Sequence, residues 1–142
     1  MNDQDCIFCK IVAGDIPCFK IYETDHILSF LDIGPVNKGH ALVIPKAHYK
    51  NIWDLPSDLG KEILSAAQIA GDAIVKTTGA EGLNLIMNNH KAAGQLVFHA
   101  HLHLIPRFEE DGLKHWGQNE YDSMDEALAL AQKIDKMIKG ID

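Results

Sequence analysis

Apolar residues recur along the chain in two periods, every second position in some stretches and every third or fourth in others, and the two periods predict an order of elements. Ile7 to Val12 reads as a short helix ended by Gly14, with Asp15-Ile16-Pro17 as the turn out of it. Phe19 to Glu23 and His26 to Ile33 read as two strands joined at Thr24-Asp25. Turn formers crowd Gly34 to Gly39 and lead into a third strand, His40 to Ile44, stopped by Pro45. Asp54 then offers an N-cap, with Pro56 in the first turn, for a helix reaching about Thr77. Leu59, Ile63, Ala67, Ala70 and Ile74 form its apolar stripe. Leu83 to Met87 and Val97 to Ile105 are two further strands, the second halted by Pro106. Ser123-x-x-Glu126 is a capping box opening a final helix over about 123–140, striped by Ala127, Leu130, Ala131, Ile134 and Ile138. Runs of strands separated by helices, without strict alternation of the two, predict an α+β fold: an antiparallel sheet of about five strands with two main helices.

Composition narrows the class. A chain of 142 residues is expected to form one domain and to make its core without disulfides. Thirteen basic against 20 acidic residues give a net charge of −7. That balance argues against bulk nucleic-acid binding and against an anionic membrane surface. No stretch approaches the length of a membrane span, and Met1 to Asp5 lacks the basic start and apolar run of a signal peptide. The three cysteines, Cys6, Cys9 and Cys18, are then expected to be reduced thiols in the cytoplasm, with Cys6-x-x-Cys9 free to bind metal and Cys18 a lone apolar thiol. Eight histidines in so acidic a chain call for an explanation.

The densest of them lie in His99-Ala100-His101-Leu102-His103-Leu104-Ile105. On a strand, His99, His101 and His103 share one face, while Phe98, Ala100, Leu102 and Leu104 face a helix. Three readings are open: a solvated polar face, metal binding, or a central histidine that works as a nucleophile or proton carrier between two that shape its surroundings. Residues i and i+4 of a strand lie about 13 Å apart, which argues against all three meeting on one ion. Neutral imidazole is a competent nucleophile near neutral pH, and a row of imidazoles supplies donors for a phosphoryl-transfer transition state.

With these residues the sequence resembles the histidine triad (HIT) family of nucleotide hydrolases and transferases, most of all its Hint-like bacterial branch. The motif at 99–105 is uninterrupted. The likeness extends upstream through Gly94-Gln95, Asn88, Gly39 to Lys46, Phe30-Leu31-Asp32-Ile33 and Cys6 to Ile11. The resemblance implies a single HIT domain over 1–142, with a zinc-binding segment over about 1–18, and a homodimer whose sheet continues across the subunits. It implies that His101 attacks the α-phosphate of a purine nucleoside phosphoramidate, mixed anhydride or dinucleoside polyphosphate, giving a covalent nucleotidyl-histidine that water resolves. His103 and His40 would bind or protonate oxygens at the phosphate. Asn88, Gly94 and Gln95 would lie near the phosphate and leaving group, Asp32 would accept the ribose hydroxyls, and Phe30 and Ile33 would wall the base. On the residues alone, Phe30 and Ile33 also suit core packing, Asp32 a turn before Gly34-Pro35, and Asn88 the end of a strand.

The resemblance further implies a structural zinc ion on Cys6, Cys9, His48 and His99, and no redox cofactor. Two thiolates and two neutral imidazoles would neutralise Zn²⁺ and leave no open position for a catalytic water. One departure is Leu96, where many relatives carry Ser or Thr after the Gly-Gln pair. It leaves room for an alternative, a nucleotide-binding or regulatory protein of little catalysis. His26, His90 and His115 have no assigned role, and Trp116 lies where relatives contribute to substrate selection.

Overall fold

Alternation along the strands sorts their side chains onto two faces of one sheet. The computed structural model describes residues 3–140. Its elements are α1 (Ile7–Ala13), β1 (Lys20–Glu23), β2 (Ile27–Leu31), β3 (Ala41–Pro45), α2 (Ser57–Thr78), β4 (Gly82–Ile86), a 3₁₀ turn at Lys91–Ala93, β5 (Leu102–Arg107) and α3 (Met124–Lys139). The strands form one antiparallel five-stranded sheet in the order β1-β2-β3-β5-β4. The expected α+β fold is therefore observed.

One sheet face, with Ile27, Ala41, Val43 and Leu104, packs against Ile63, Ala66, Ala67, Ala70 and Ile74 of α2. This is the helical stripe read from the sequence, with Leu59 half-buried at its edge. The small residues let α2 approach closely: a Cβ on Gly71 would sit 2.7 Å from the Leu83 side chain. The opposite face, with Leu28, Phe30, Leu42 and Ile44, packs against Phe8 of α1 and the chain around it. Leu102 and Leu104 point to the α2 side, as the alternation requires, and His103 pairs with Leu42 on the other.

Three expectations are corrected. The last strand begins at Leu102 instead of Val97, so His99 and His101 precede it. The register of β3 on β5 would set Pro45 opposite Ala100, and Pro45 has no N–H to continue the ladder. Its carbonyl instead accepts from His99 Nε2 at 2.8 Å, and the Ala100 N–H donates to Tyr49 O at 2.6 Å. Pro56, not Asp54, stands at the N-cap position of α2, no side chain caps the helix, and the Asp54 carboxylate instead accepts the Lys50 N–H. At α3, Ser123 Oγ accepts the Glu126 N–H as expected, but the Glu126 carboxylate reaches back to the Asp122 N–H, one residue earlier than a capping box places it.

The described chain separates into two compact units, one ending at Asp111 and one running from Gly112. The second consists of an extended stretch carrying His115 and Trp116, followed by α3. No helix among the described residues is long and apolar enough to cross a membrane.

Leu104 is fully buried between sheet and α2. Leu104→Ala is expected to lower the unfolding free energy by about 2–5 kcal/mol, measured by urea denaturation at pH 7. A loss under about 1 kcal/mol would contradict this account of the core.

Candidate functional site

On the α1 side of the sheet lies a cavity of about 320 Å³. Ile7, Phe8 and Ile11 of α1, the turn Ile16-Pro17-Cys18, and Phe30, Ile33 and Leu42 make its apolar wall. Asp32, Asn88, Gly94, His101 and His103 supply the polar groups, and Leu96 and Val97 close the side beside them. Gly94 sits at φ 89° with its Cα facing Asn88, a backbone conformation that favours glycine.

Hydrogen bonds decide, for each histidine in this wall, which ring nitrogen carries the proton and which is bare. The carbonyl of His99 can only accept, so His101 Nδ1, 2.7 Å away, carries a hydrogen and Nε2 is left with a lone pair. The Val36 N–H donates to His40 Nδ1 at 3.1 Å, so the proton of neutral His40 is on Nε2. His40 Nε2 in turn donates to His103 Nδ1 at 2.9 Å, leaving His103 with a donor at Nε2. One ring thus offers an unprotonated nitrogen and its neighbour, with ring centroids 4.9 Å apart, offers an N–H. Burial pulls all three below the ordinary histidine value, His103 to about 4 with help from His101 and His40. They are neutral at pH 7.

Asp32 serves two partners. One oxygen accepts the Gly34 N–H at 2.8 Å, which is the turn role open from the sequence, and the other lies 3.7 Å from His40 Nε2. Asp32, His40 and His103 bring donor atoms within 4.8 Å of one another. They do not suit a cation, because His40 Nδ1 already accepts a backbone N–H and its Nε2 therefore keeps the proton.

A second cluster joins Cys6, Cys9, His48 and His99, with ligand atoms all within 4.8 Å of one another. Cys6 Sγ is 3.4 Å from His99 Nδ1, and Cys9 Sγ is 3.4 Å from His48 Nδ1 and 3.7 Å from His99 Nδ1. A tetrahedral ion with metal–sulfur bonds near 2.3 Å and metal–nitrogen bonds near 2.1 Å separates sulfur from nitrogen by about 3.6 Å. The bond from His99 Nε2–H to Pro45 O fixes the tautomer that turns a bare Nδ1 to the cluster. Burial pushes the Cys6 thiol up and holds His99 down at about 4. The donor set therefore fits Zn²⁺.

A family model described as the HIT domain matches residues 13–110, more than half of the chain. The chain belongs to the HIT family. Adenylylsulfatase HINT3 of Arabidopsis thaliana is 47% identical over 110 residues, which are 78% of this chain and 56% of that protein, so the chain spans little more than half the length of this relative. Adenosine 5'-monophosphoramidase hnt1 of Schizosaccharomyces pombe is 43% identical over 137 residues, 96% of this chain and 100% of that protein. A Streptococcus mutans crystal structure superposes with TM-score 0.90 at 45% identity, covering 96% of this chain and 87% of that one. A zinc-bound histidine triad family protein from Mycobacterium smegmatis superposes with TM-score 0.74 at 36% identity, covering 94% and 97% of the two chains.

Of the residues that the HIT resemblance singled out, His101, His103, Asp32, Phe30, Ile33, Asn88 and Gly94 line the one cavity, and His40 stands directly behind His103. Phe30 is both a core residue and part of the cavity wall. Gln95 is placed differently. It is buried outside the cavity wall, its Oε1 accepting the His90 N–H and its Nε2 donating to Lys50 O and Val97 O, so it holds the 88–97 loop. His90 within that loop has φ 65° and stacks on Trp53. His26 pairs with Glu62 on the surface. Sequence reasoning missed the part of the N-terminal segment in the cavity: Ile7, Phe8, Ile11, Ile16, Pro17 and Cys18 were read only as a helix and turn beside the metal ligands. The i, i+4 pair Ile7 and Ile11, offset from the i, i+3 pair Cys6 and Cys9, was the available signal of a second face.

The lowered values of His40, His101 and His103 carry a stability consequence. Unfolded histidines titrate near 6.5 and take up protons first as the pH falls. The stabilisation from these neutral rings is complete above that value and is lost progressively down to about 4, where His103 titrates. The melting temperature is expected to fall between pH 6.5 and 4.5, and more shallowly in His103→Asn. Identical slopes in the two proteins would contradict the assignment.

Proposed function

We propose that this protein hydrolyses or transfers a nucleoside monophosphate, through nucleophilic attack by His101 Nε2 on the α-phosphate of a purine nucleoside phosphoramidate, mixed anhydride or dinucleoside polyphosphate. The observation that carries the proposal is the tautomer of His101: Nδ1–H is engaged by the His99 carbonyl, so the nitrogen left for the cavity is an unprotonated nucleophile in a ring that is neutral at pH 7. Attack forms the bond from Nε2 to phosphorus and breaks the bond from phosphorus to the leaving group. Water then cleaves the nucleotidyl-histidine and regenerates the ring. The His103 Nε2–H, backed by His40, donates to a phosphate oxygen as charge builds there. The Asp32 carboxylate receives the ribose hydroxyls, and Phe30 and Ile33 hold the base. The names of the Arabidopsis and Schizosaccharomyces relatives support adenylate chemistry.

The cluster of Cys6, Cys9, His48 and His99 is proposed to hold a structural zinc ion, supported by its S–N separations and by the zinc-bound Mycobacterium smegmatis relative. Such a site suits the reducing cytoplasm, where the thiols stay available. A homodimer is proposed through β4, which ends the sheet with one long edge unpaired.

Leu96, 86% exposed on the cavity rim, favours the second reading of a nucleotide binder with little catalysis, since it offers no hydroxyl to the phosphate. Trapping separates the two: protein incubated with labelled adenosine phosphoramidate and quenched in alkaline denaturant should carry an acid-labile label on His101, and a binder should carry none. His101→Ala is expected to lower kcat/KM for that substrate by at least about a thousandfold. Near-native turnover would overturn the nucleophile. Metal analysis of protein purified without chelator is expected to find about one zinc per chain, and less than about half would overturn the metal proposal.

A further inference from the structure

Metal occupancy at the Cys/His cluster and nucleotide binding in the cavity are, we propose, coupled energetically through two pieces of chain that belong to both sites, α1 and His99. The proposal rests on the nucleotide and zinc readings above and goes beyond either.

The seven residues of α1 are too few for a helix to hold itself together in water. Its N-cap is Cys6, which makes no side-chain cap bond, and its first turn has no acidic residue. Tertiary contacts must therefore fix it, and at its N-terminal end these are the packing of Phe8 and the contacts of the Cys6 and Cys9 sulfurs. The sulfurs lie 3.4 to 3.7 Å from the imidazole nitrogens, and metal–ligand bonds there would tie the turn to His48 and His99. The same turn and the next supply Ile7, Phe8 and Ile11 to the cavity wall. Phe8, between the two cysteines in sequence, places its ring edge-on at 5.2 Å from His101 and 5.8 Å from both Phe30 and His99. Fixing Cys6 and Cys9 therefore fixes a wall of the nucleotide cavity and the packing of its nucleophile.

His99 makes the second link. Its Nδ1 faces the cluster, its Nε2–H is tied to Pro45 O, and its own carbonyl accepts the His101 Nδ1–H. A metal bond at one end of this residue and the orientation of the nucleophile at the other are set by one rigid unit, and displacements near 1 Å at a reacting group can cost about a hundredfold in rate. His99 is a positioning residue. Coupling of this kind is reciprocal: whatever factor the metal adds to nucleotide affinity, the nucleotide adds to metal affinity.

The test uses the full chain, zinc-loaded and chelator-stripped, with its fold checked by circular dichroism, and AMP as the nucleotide. Isothermal titration should give an AMP Kd about five- to fiftyfold weaker in the stripped protein. The zinc Kd, from competition with a chromophoric chelator, should tighten by the same factor in saturating AMP. The hydrogen-bonded Nδ1–H resonance of His101 should shift or broaden on stripping while α2 amides stay in place, which general loosening of the fold would not produce. Should stripping unfold the chain, His48→Asn, which removes one ligand outside both α1 and His99, is titrated with zinc instead, and AMP affinity should follow zinc occupancy. Equal AMP affinity in metal-loaded and metal-free protein overturns the coupling and leaves both sites standing. Failure to bind zinc overturns the metal reading and the coupling with it. Failure of either form to bind AMP overturns the nucleotide reading and, again, the coupling.

Discussion

Pro45 ends β3 without an N–H, and the arrangement of the site follows from that missing donor. The ladder between β3 and β5 cannot run on past it, so the chain from Val97 to His101 leaves the sheet before β5 begins. Freed from the ladder, His99 and His101 turn to different tasks in place of standing in a row. The Pro45 carbonyl, which a continued ladder would have left to a backbone donor, takes the His99 ring and fixes its tautomer. The His99 carbonyl does the same for His101. Two backbone oxygens thereby decide which imidazole nitrogen is bare at each site.

Much of this was legible in the sequence because periodicity reports burial directly. The α2 stripe and the apolar strands β2 and β3 became the two core clusters. The histidine segment was legible as chemistry but not as geometry: alternation set His99, His101 and His103 on one face, and only the pairing register shows that the strand begins at Leu102. Gln95 illustrates a different limit. A glutamine beside a glycine looks like a binding group, and nothing local reveals that its amide is engaged by Lys50, some 45 positions earlier, and by His90 and Val97. The cavity role of Cys18 and Pro17 was hidden for the same reason, since a turn has no period to betray which way it faces.

The acidic charge of the chain and the proposed binding of an anionic nucleotide are reconciled locally. The histidines in the cavity are neutral, so they offer polarity without net charge, and their donors are oriented before any ligand arrives. Preorganised neutral dipoles backed by a buried, largely apolar wall are screened less by water than a surface lysine. Affinity then depends on placement far more than on the field of the whole molecule, whose net charge of −7 repels phosphate at long range.

The two core clusters share no residue: α2 and its sheet face form one, and Phe8 with the opposite face forms the other. The sheet is a partition between a core closed by α2 and a core that also carries the cavity. Changes in the cavity wall at the exposed Ile7, Ile33 or Leu96 need not pass through either core cluster. The proposed specificity of such a molecule can drift while its thermodynamic foundation stays still.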